Sequence, residues 1–538
     1  MDHKINIGGE SRMRKTCIRS LFPAMALVFA MGMATGCSGN TSDSAGTSAE
    51  GSSAESTSSA AAAGEAKDTL IIATANETPS LTKNEHNAVA GNYMNSLTYN
   101  GLFRMDENLN PVPDLVESYE NTSDTEWIFH LKQGVLFHNG EEMKAEDVKA
   151  SLELCKESPE VSQYGASIDS VEVVDDYTVK ITTNGPQSGL LSDLTHHGNF
   201  ILPADLIESG HDFNAEPIGT GPYKLVTWNR GESLEFEAFE DYFGGAAPIK
   251  HMTWRIIPEG SSRTMALEAG EVDLVVEVET ADMTRLSETD GLTLYSEAAT
   301  AHNFMMINNE IAPFNNENFR KAIASAIDKN AVVQVAVNGN GTPTDALVPD
   351  CFPGTTSEGA PTYDPEQAKA YLEASGLSPE ECGFTLICSD DTKLRAGQVI
   401  QSSLKENLGI DVQLESMDLA TYLDLTASGD YEAAMGGYQA SDLLSYALGV
   451  YHSNSIGASN KTRTNSPELD AMIEEIQASM DETEREALIT EFSKAVNELC
   501  PQVPLYMSNN TRAYRSGLQG FNCNAAGTTY YEQMSWGN

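Results

Sequence analysis

Two segments, Ser80-Leu81-Thr82-Lys83 and Ser402-Ser403-Leu404-Lys405, put a lysine three residues after a serine, a spacing in which an amine can activate a hydroxyl for acyl transfer. Two fixed letters in four arise by chance in 538 residues, and no S-D-N or K-T-G completes the chemistry. Asp106, Asn108 and Asn110 have the spacing that opens a calcium loop, but Pro111 stands where that loop needs its glycine and no glutamate closes it. The expectation is a polar turn. Of the ten histidines only His196-His197 are adjacent, and neighbours on one element rarely face one ion, so the expected role is a surface or hydrogen-bonded one. With no G-x-S-x-G, H-E-x-x-H or P-loop, no enzyme, metal or cofactor is expected.

The chemistry that remains belongs to Cys37. Arg12, Arg14, Lys15 and Arg19 precede an apolar segment from Leu21 to Ala34, which ends in Ala34-Thr35-Gly36-Cys37. A basic head, a short apolar stretch and small residues at a cut predict a signal peptide over 1–36. The apolar part is below the roughly 20 residues that span a bilayer. The cysteine behind the small residues resembles the lipobox of bacterial lipoproteins. That resemblance implies lipidation of the Cys37 thiol with diacylglycerol, cleavage before it, and anchoring to the cell membrane on the extracytoplasmic face. Residues 38–66 contain only Ser, Thr, Ala, Gly, Asp, Glu and Asn. No side chain there repays the entropy of ordering, so 37–67 is expected to be a tether with a reach of about 30 Å.

The formal net charge is −47, from 32 basic and 79 acidic residues. Taking away the five basic and two acidic residues of 1–36 leaves 27 against 77, a charge of −50. Such a balance favours solubility and repels nucleic acid and anionic lipid. Residues 68–538 suffice for two or three domains, and no later apolar run is long enough to span a bilayer. Six cysteines lie beyond Cys37: Cys155, Cys351, Cys382, Cys388, Cys500 and Cys523. Export permits disulfides, and Cys382 could pair with Cys388, but spacing alone fixes no pairing.

The positioning elements are mixed α and β. Trp127, Phe129 and Leu131 alternate with Ile128, His130 and Lys132, as do Leu234, Phe236 and Ala238 with Glu235 and Glu237, the period of half-buried strands. Val171–Val173 and Tyr177–Ile181 flank Asp175-Asp176 as a hairpin. Helices are expected around Val148, Leu152 and Cys155, and around Phe319, Ile323 and Ile327. Another should start with Asp364 as cap, Pro365 in first position and Gln367 closing a capping box, and end at Gly376. Two more should follow Ser466-Pro467 and Asp481.

Four blocks in register resemble the peptide-type solute-binding proteins of ABC importers, the oligopeptide, dipeptide and nickel receptor family (solute-binding protein family 5). The first runs from Tyr99-Asn100-Gly101-Leu102-Phe103-Arg104 through Phe137-His138-Asn139-Gly140 to Ala145-Glu146-Asp147-Val148. The others are Ile218-Gly219-Thr220-Gly221-Pro222-Tyr223, Ala266-Leu267-Glu268-Ala269-Gly270-Glu271-Val272-Asp273, and Pro313-Phe314-Asn315 to Ala326-Ile327-Asp328-Lys329. Most of these residues are scaffold, with Gly219, Gly221 and Pro222 expected to make a sharp turn.

The resemblance implies an α/β, two-lobed clamp of the periplasmic-binding-protein type (type II) with a small extra domain. Lobe I would combine 68–95, 183–301 and 506–538, the small domain would fill 96–182, and lobe II 302–505, with hinge crossings near His302-Asn303-Phe304 and Leu505-Tyr506. In peptide-binding relatives a lobe II carboxylate after a glycine-aromatic pair holds the ligand's ammonium. Here the matching stretch begins Gly437-Tyr438, strict spacing lands on Ser441, and Asp442 lies one residue further. The expected ligand-binding residues are thus Asp442 or Ser441, with Tyr438, Tyr446, Asn303, Phe304, His86 and Asn87. The implied partners are a short peptide, the ABC permease subunits with their ATPases, and the membrane through the lipid anchor. No nucleic acid is expected, and the chain should be a monomer. A nickel or metal chelate, a sugar oligomer or an opine is the alternative solute, and a surface sensor without a transport role the alternative function.

Overall fold

The computed structural model describes residues 67–537, so the signal peptide, the Cys37 lipid site and nearly all of the tether lie outside the described residues. The chain opens with strand β1 (Thr69–Thr74) and helix α1 (Val89–Thr98). An antiparallel four-stranded sheet follows, built of β2 (Val116–Ser123), β3 (Glu126–Leu131), β4 (Ile168–Asp175) and β5 (Thr178–Thr183), with helix α2 (Ala145–Glu157) against it. Next come β6 (Tyr223–Asn229), β7 (Ser233–Ala238), β8 (His251–Ile256), β9 (Leu274–Val276) and the 16-residue β10 (Leu292–Ile307). The following part carries helix α3 (Glu317–Ala326), strand β11 (Gly341–Pro343), helix α4 (Pro365–Ser375), strand β12 (Phe384–Cys388) and helix α5 (Asp391–Leu408). It continues with β13 (Val412–Ser416), β14 (Ala433–Gln439), α6 (Leu443–Val450), α7 (Pro467–Ala478), α8 (Glu482–Leu499) and the 14-residue β15 (Gln502–Arg515).

Eleven strands form one sheet in the order β13-β12-β14-β10-β15-β9-β1-β8-β7-β6, with β11 paired to β15 off this path. Strand β1 is parallel to both neighbours and buried along most of its length, which is why Thr69–Thr74 reads as an apolar run rather than an alternation. Strands β3 and β7, with one wet face, show the expected alternation. One core packs on the half-sheet of β10, β12 and β14 and takes Phe304 to Tyr506; a second packs Leu70, Trp254 and Tyr531 on the other half. The small sheet has its own core of Phe103, Phe129 and Val148, which also draws in Leu190, Leu194 and Ile201. Among the described residues, β10 and β15 are the two long strands that join the halves of the large sheet. Their pairing shifts register between Ala298 and His302 and again between Asn303 and Phe304. Such irregularities bend a strand and raise its local twist.

Three local expectations are refined. At α4 the Asp364 carboxylate accepts the backbone N–H of Glu366 and Gln367, both at 3.0 Å, and Pro365 and Gly376 stand where expected. No reciprocal bond from the Gln367 side chain is formed, so this is a single cap and not a capping box. Gly219 and Gly221 serve close approach: a Cβ on Gly219 would lie 2.3 Å from the Thr98 carbonyl oxygen, and one on Gly221 2.4 Å from the Thr98 carbonyl carbon. The six cysteines are free thiols, Cys382 and Cys388 included, and all but Cys351 are buried.

Candidate functional site

A cleft of about 1240 Å³ opens beside the crossing strands. One wall is the start of α1, with Asn87, Asn92 and Tyr93; another is the end of β9, with Glu277 and Val278. Thr300 of β10 and Asn509–Arg512 of β15 form its floor, and Gln439, Ala440 and Ser441 approach from the end of β14. Tyr164, Ser192, Thr195, His196 and His197 close one end, and the loop 526–530 another. This is the mixture of apolar walls and a few convergent polar groups that ligand sites present.

Of the residues singled out in the sequence, Asn87 and Ser441 line this cleft. Asp442 caps α6: Ser445 donates its backbone N–H at 2.9 Å and its hydroxyl at 3.0 Å, and Ser441 its hydroxyl at 2.9 Å. Tyr446 and Phe304 do not reach the cleft. Both sit in the core, at 0% and 2% exposure, because an inward position on a helix or central strand claims the same aromatic side chain that a binding wall would. Tyr438 stacks edge-on against Tyr446, ring centroids 5.7 Å apart, and its hydroxyl packs on Gly449. Asn303 ties the crossing strands together by donating from Nδ2 to Ser508 Oγ at 2.9 Å. His86 is buried behind the wall, stacked on His197 at 5.3 Å, and Nε2 of His197 lies 3.0 Å from the His86 carbonyl oxygen. The serine-lysine pattern assembles nothing at its first copy, since Ser80 donates to Glu85 at 2.7 Å while Lys83 donates to the Gly198 carbonyl at 2.7 Å.

Burial governs the charges at this end of the cleft. It lowers the pKa of Lys83 to about 7 and of His197 to about 4, and that of His196 well below the ordinary imidazole value. The segment around Gln187–Asp193 is bonded to the end of α7. Ser188 donates its backbone N–H to the Gln477 carbonyl and its hydroxyl to the Ile476 carbonyl, both at 2.9 Å, and Gln477 donates to Gln187 at 2.7 Å. Burial, reinforced by the nearby Asp442 carboxylate, holds the Asp193 carboxyl well above its usual pKa.

Residues 110–457 match the family described as bacterial extracellular solute-binding proteins, family 5. The chain belongs to this family. A glutathione-binding protein, GsiB, of Pectobacterium atrosepticum is 30% identical over 362 residues, covering 66% of this chain and 70% of that one. Among solved structures, HbpA2 from Haemophilus parasuis superposes with a TM-score of 0.80 at 24% identity, covering 87% of this chain and 100% of its own. The periplasmic binding protein DppA from Helicobacter pylori, in complex with the peptide STSA, gives 0.70 at 23% identity, with 88% and 99% covered. The two-lobed α/β clamp expected for the family is therefore the fold of this solute-binding protein.

The sequence reading missed several groups of this solute-binding protein. Glu277 has a left-handed backbone (φ 64°), an uncommon conformation for a non-glycine residue, held by the Arg263 guanidinium on its carbonyl at 2.9 Å. Arg512, 2% exposed, donates to the Thr511 carbonyl at 2.9 Å and to the Tyr93 hydroxyl at 3.3 Å. Asn92 Oδ1, Thr300 Oγ1 and Arg512 Nε are shielded polar atoms of the cleft without a protein partner. A signal existed: Ser508-Asn509-Asn510-Thr511-Arg512 is a polar run that follows the buried, mostly apolar start of the same strand, Gln502–Met507.

Proposed function

We propose that this protein is an extracytoplasmic substrate-binding lipoprotein of an ABC importer, capturing short peptides between its lobes and delivering them to a membrane permease without chemistry of its own. The observation that carries this is the cleft of about 1240 Å³ on the two crossing strands of a family 5 fold, edged by backbone and by amide and hydroxyl groups suited to an extended peptide. GsiB, a relative over two thirds of the chain, is named for binding glutathione, itself a tripeptide. On this reading 68–95, 183–301 and 506–538 act as lobe I, 96–182 as the small domain and 302–505 as lobe II. A ligand touching both lobes binds the closed form better and shifts the population toward it. Cys37 carries the lipid, residues 37–67 the tether, and the protein acts as a monomer beside permease subunits and their ATPases. Asn87 and Ser441 contact the ligand, and Asp442 turns its carboxylate to the peptide ammonium, a charge-assisted bond.

Calorimetry of residues 68–538 against di- to pentapeptides tests this. One-to-one binding is expected; silence with every peptide beside a clear signal for Ni²⁺ or a sugar would sink the peptide reading.

A further inference from the structure

We propose that Arg512 receives a carboxylate of the bound solute, so that the preferred ligand is a peptide with a free carboxyl end and not a neutral one. The inference rests on the reading of the cleft as a peptide site and names the ligand chemistry that one wall selects.

A guanidinium carries five N–H donors in a fixed fork. At Arg512 one Nη1 donor goes to the Thr511 carbonyl and one Nη2 donor to the Tyr93 hydroxyl, whose ring lies 5.7 Å from Cζ. Nε has no acceptor, and among the described residues no carboxylate forms an ion pair with this cation. Glu277 is close by, since Val276 pairs with Arg512 across β9 and β15, yet it acts on the guanidinium only beyond ion-pair distance. In a chain with 79 acidic and 32 basic residues a carboxylate could be set against nearly any cation, and none is set against this one.

The energetics favour an anion from outside. A buried cation without a counter-ion is costly, and expulsion of water as the lobes close makes it more so. A carboxylate on Nε and one of the two free Nη donors restores the balance through two parallel bonds, geometry that a planar guanidinium offers and an ammonium does not. Thr300 Oγ1 adds a hydroxyl to the same cleft, and Asn92 Oδ1 an acceptor for a peptide N–H. With the ammonium held from lobe II, the two ends of a short peptide are read on opposite walls, so neither lobe alone satisfies it.

The test is calorimetry on the full-length protein in detergent. Trialanine and glutathione serve as probes, each beside its form amidated at the C-terminal carboxyl, with wild type, Arg512→Gln and Arg512→Lys. Amidation should weaken wild-type binding about 10- to 100-fold. Arg512→Gln should bind acid and amide alike, and Arg512→Lys should keep only part of the discrimination. The same acid-to-amide ratio in wild type and Arg512→Gln overturns the proposal. If thermal unfolding finds Arg512→Gln unfolded, Arg512→Lys decides: a ratio unchanged from wild type overturns it and a reduced ratio supports it. Equal binding of acid and amide by the wild type removes Arg512 from the site while the peptide reading stands, whereas no heat from any probe defeats both.

Discussion

His302 Nδ1 lies 2.8 Å from the Tyr446 hydroxyl, joining β10 at its register shift to helix α6. Gln502 of β15 reaches the same hydroxyl from 3.3 Å, so both crossing strands are tied to one buried tyrosine. Tyr446→Phe leaves the imidazole and the amide without that partner and should cost about 1–3 kcal/mol. Urea unfolding followed by tryptophan fluorescence measures it; an unchanged midpoint would show that the network adds nothing to stability.

Burial lowers the pKa of His302 to about 3, and those of His138 and His197 to about 4. The unfolded chain binds these protons near the ordinary value of about 6.5 while the folded one does not. Stability is therefore full above pH 6.5 and falls as the pH drops toward 4, each group adding a slope of about 1.4 kcal/mol per pH unit. His302→Gln should flatten the urea midpoint's fall between pH 6.5 and 4 by one such increment.

Gly219→Ala and Gly221→Ala each drive a methyl group into the backbone at Thr98, which cannot swing aside. A loss of about 1–3 kcal/mol and a lower unfolding temperature are expected for each. Gly185→Ala, where a Cβ meets nothing within 4 Å, is the control and should leave the temperature nearly unchanged.

Asp442→Asn separates capping from charge. Asparagine caps helices about as well as aspartate, so stability should change by only a few tenths of a kcal/mol, whereas alanine should cost about 1 kcal/mol. If the carboxylate holds the peptide ammonium, Asp442→Asn weakens peptides with a free amine far more than N-acetylated ones in calorimetry. Equal losses would leave Asp442 as a cap alone.

If Cys37 carries a lipid anchor that keeps a loaded receptor at high effective concentration near a permease, Cys37→Ala should release a protein that binds peptide as before but no longer supports uptake. Cell fractionation with an uptake assay checks both halves. Full uptake from the released protein would make the anchor incidental.

What the sequence made legible is what neighbours in the chain decide. Trp127, Phe129 and Leu131 alternate because β3 has one wet face, and Asp364-Pro365 with Gly376 mark α4 because caps are local hydrogen-bond problems. For Tyr446 and Phe304 core and cleft ask for the same residue types, and only long-range packing separates them. Arg512 was invisible for a related reason. A polar run inside a strand suggests an exposed edge, yet β15 lies in mid-sheet, where Arg512 pairs with Val276 of β9 and Tyr295 of β10, both more than 200 residues earlier.

The place of β15 also dictates when the molecule can be finished. It is the last long strand made, and it fits between β10 and β9 in the middle of the large sheet. A chain emerging from its amino end first thus carries two raw strand edges, open to pairing with any other chain, until residues 502–515 arrive. The seal comes later still, when Trp536 donates its indole N–H to the Thr69 carbonyl at 2.8 Å and binds the carboxyl end to the first strand. Nascent molecules stalled before that point would be the ones to aggregate, however well their earlier segments had already folded.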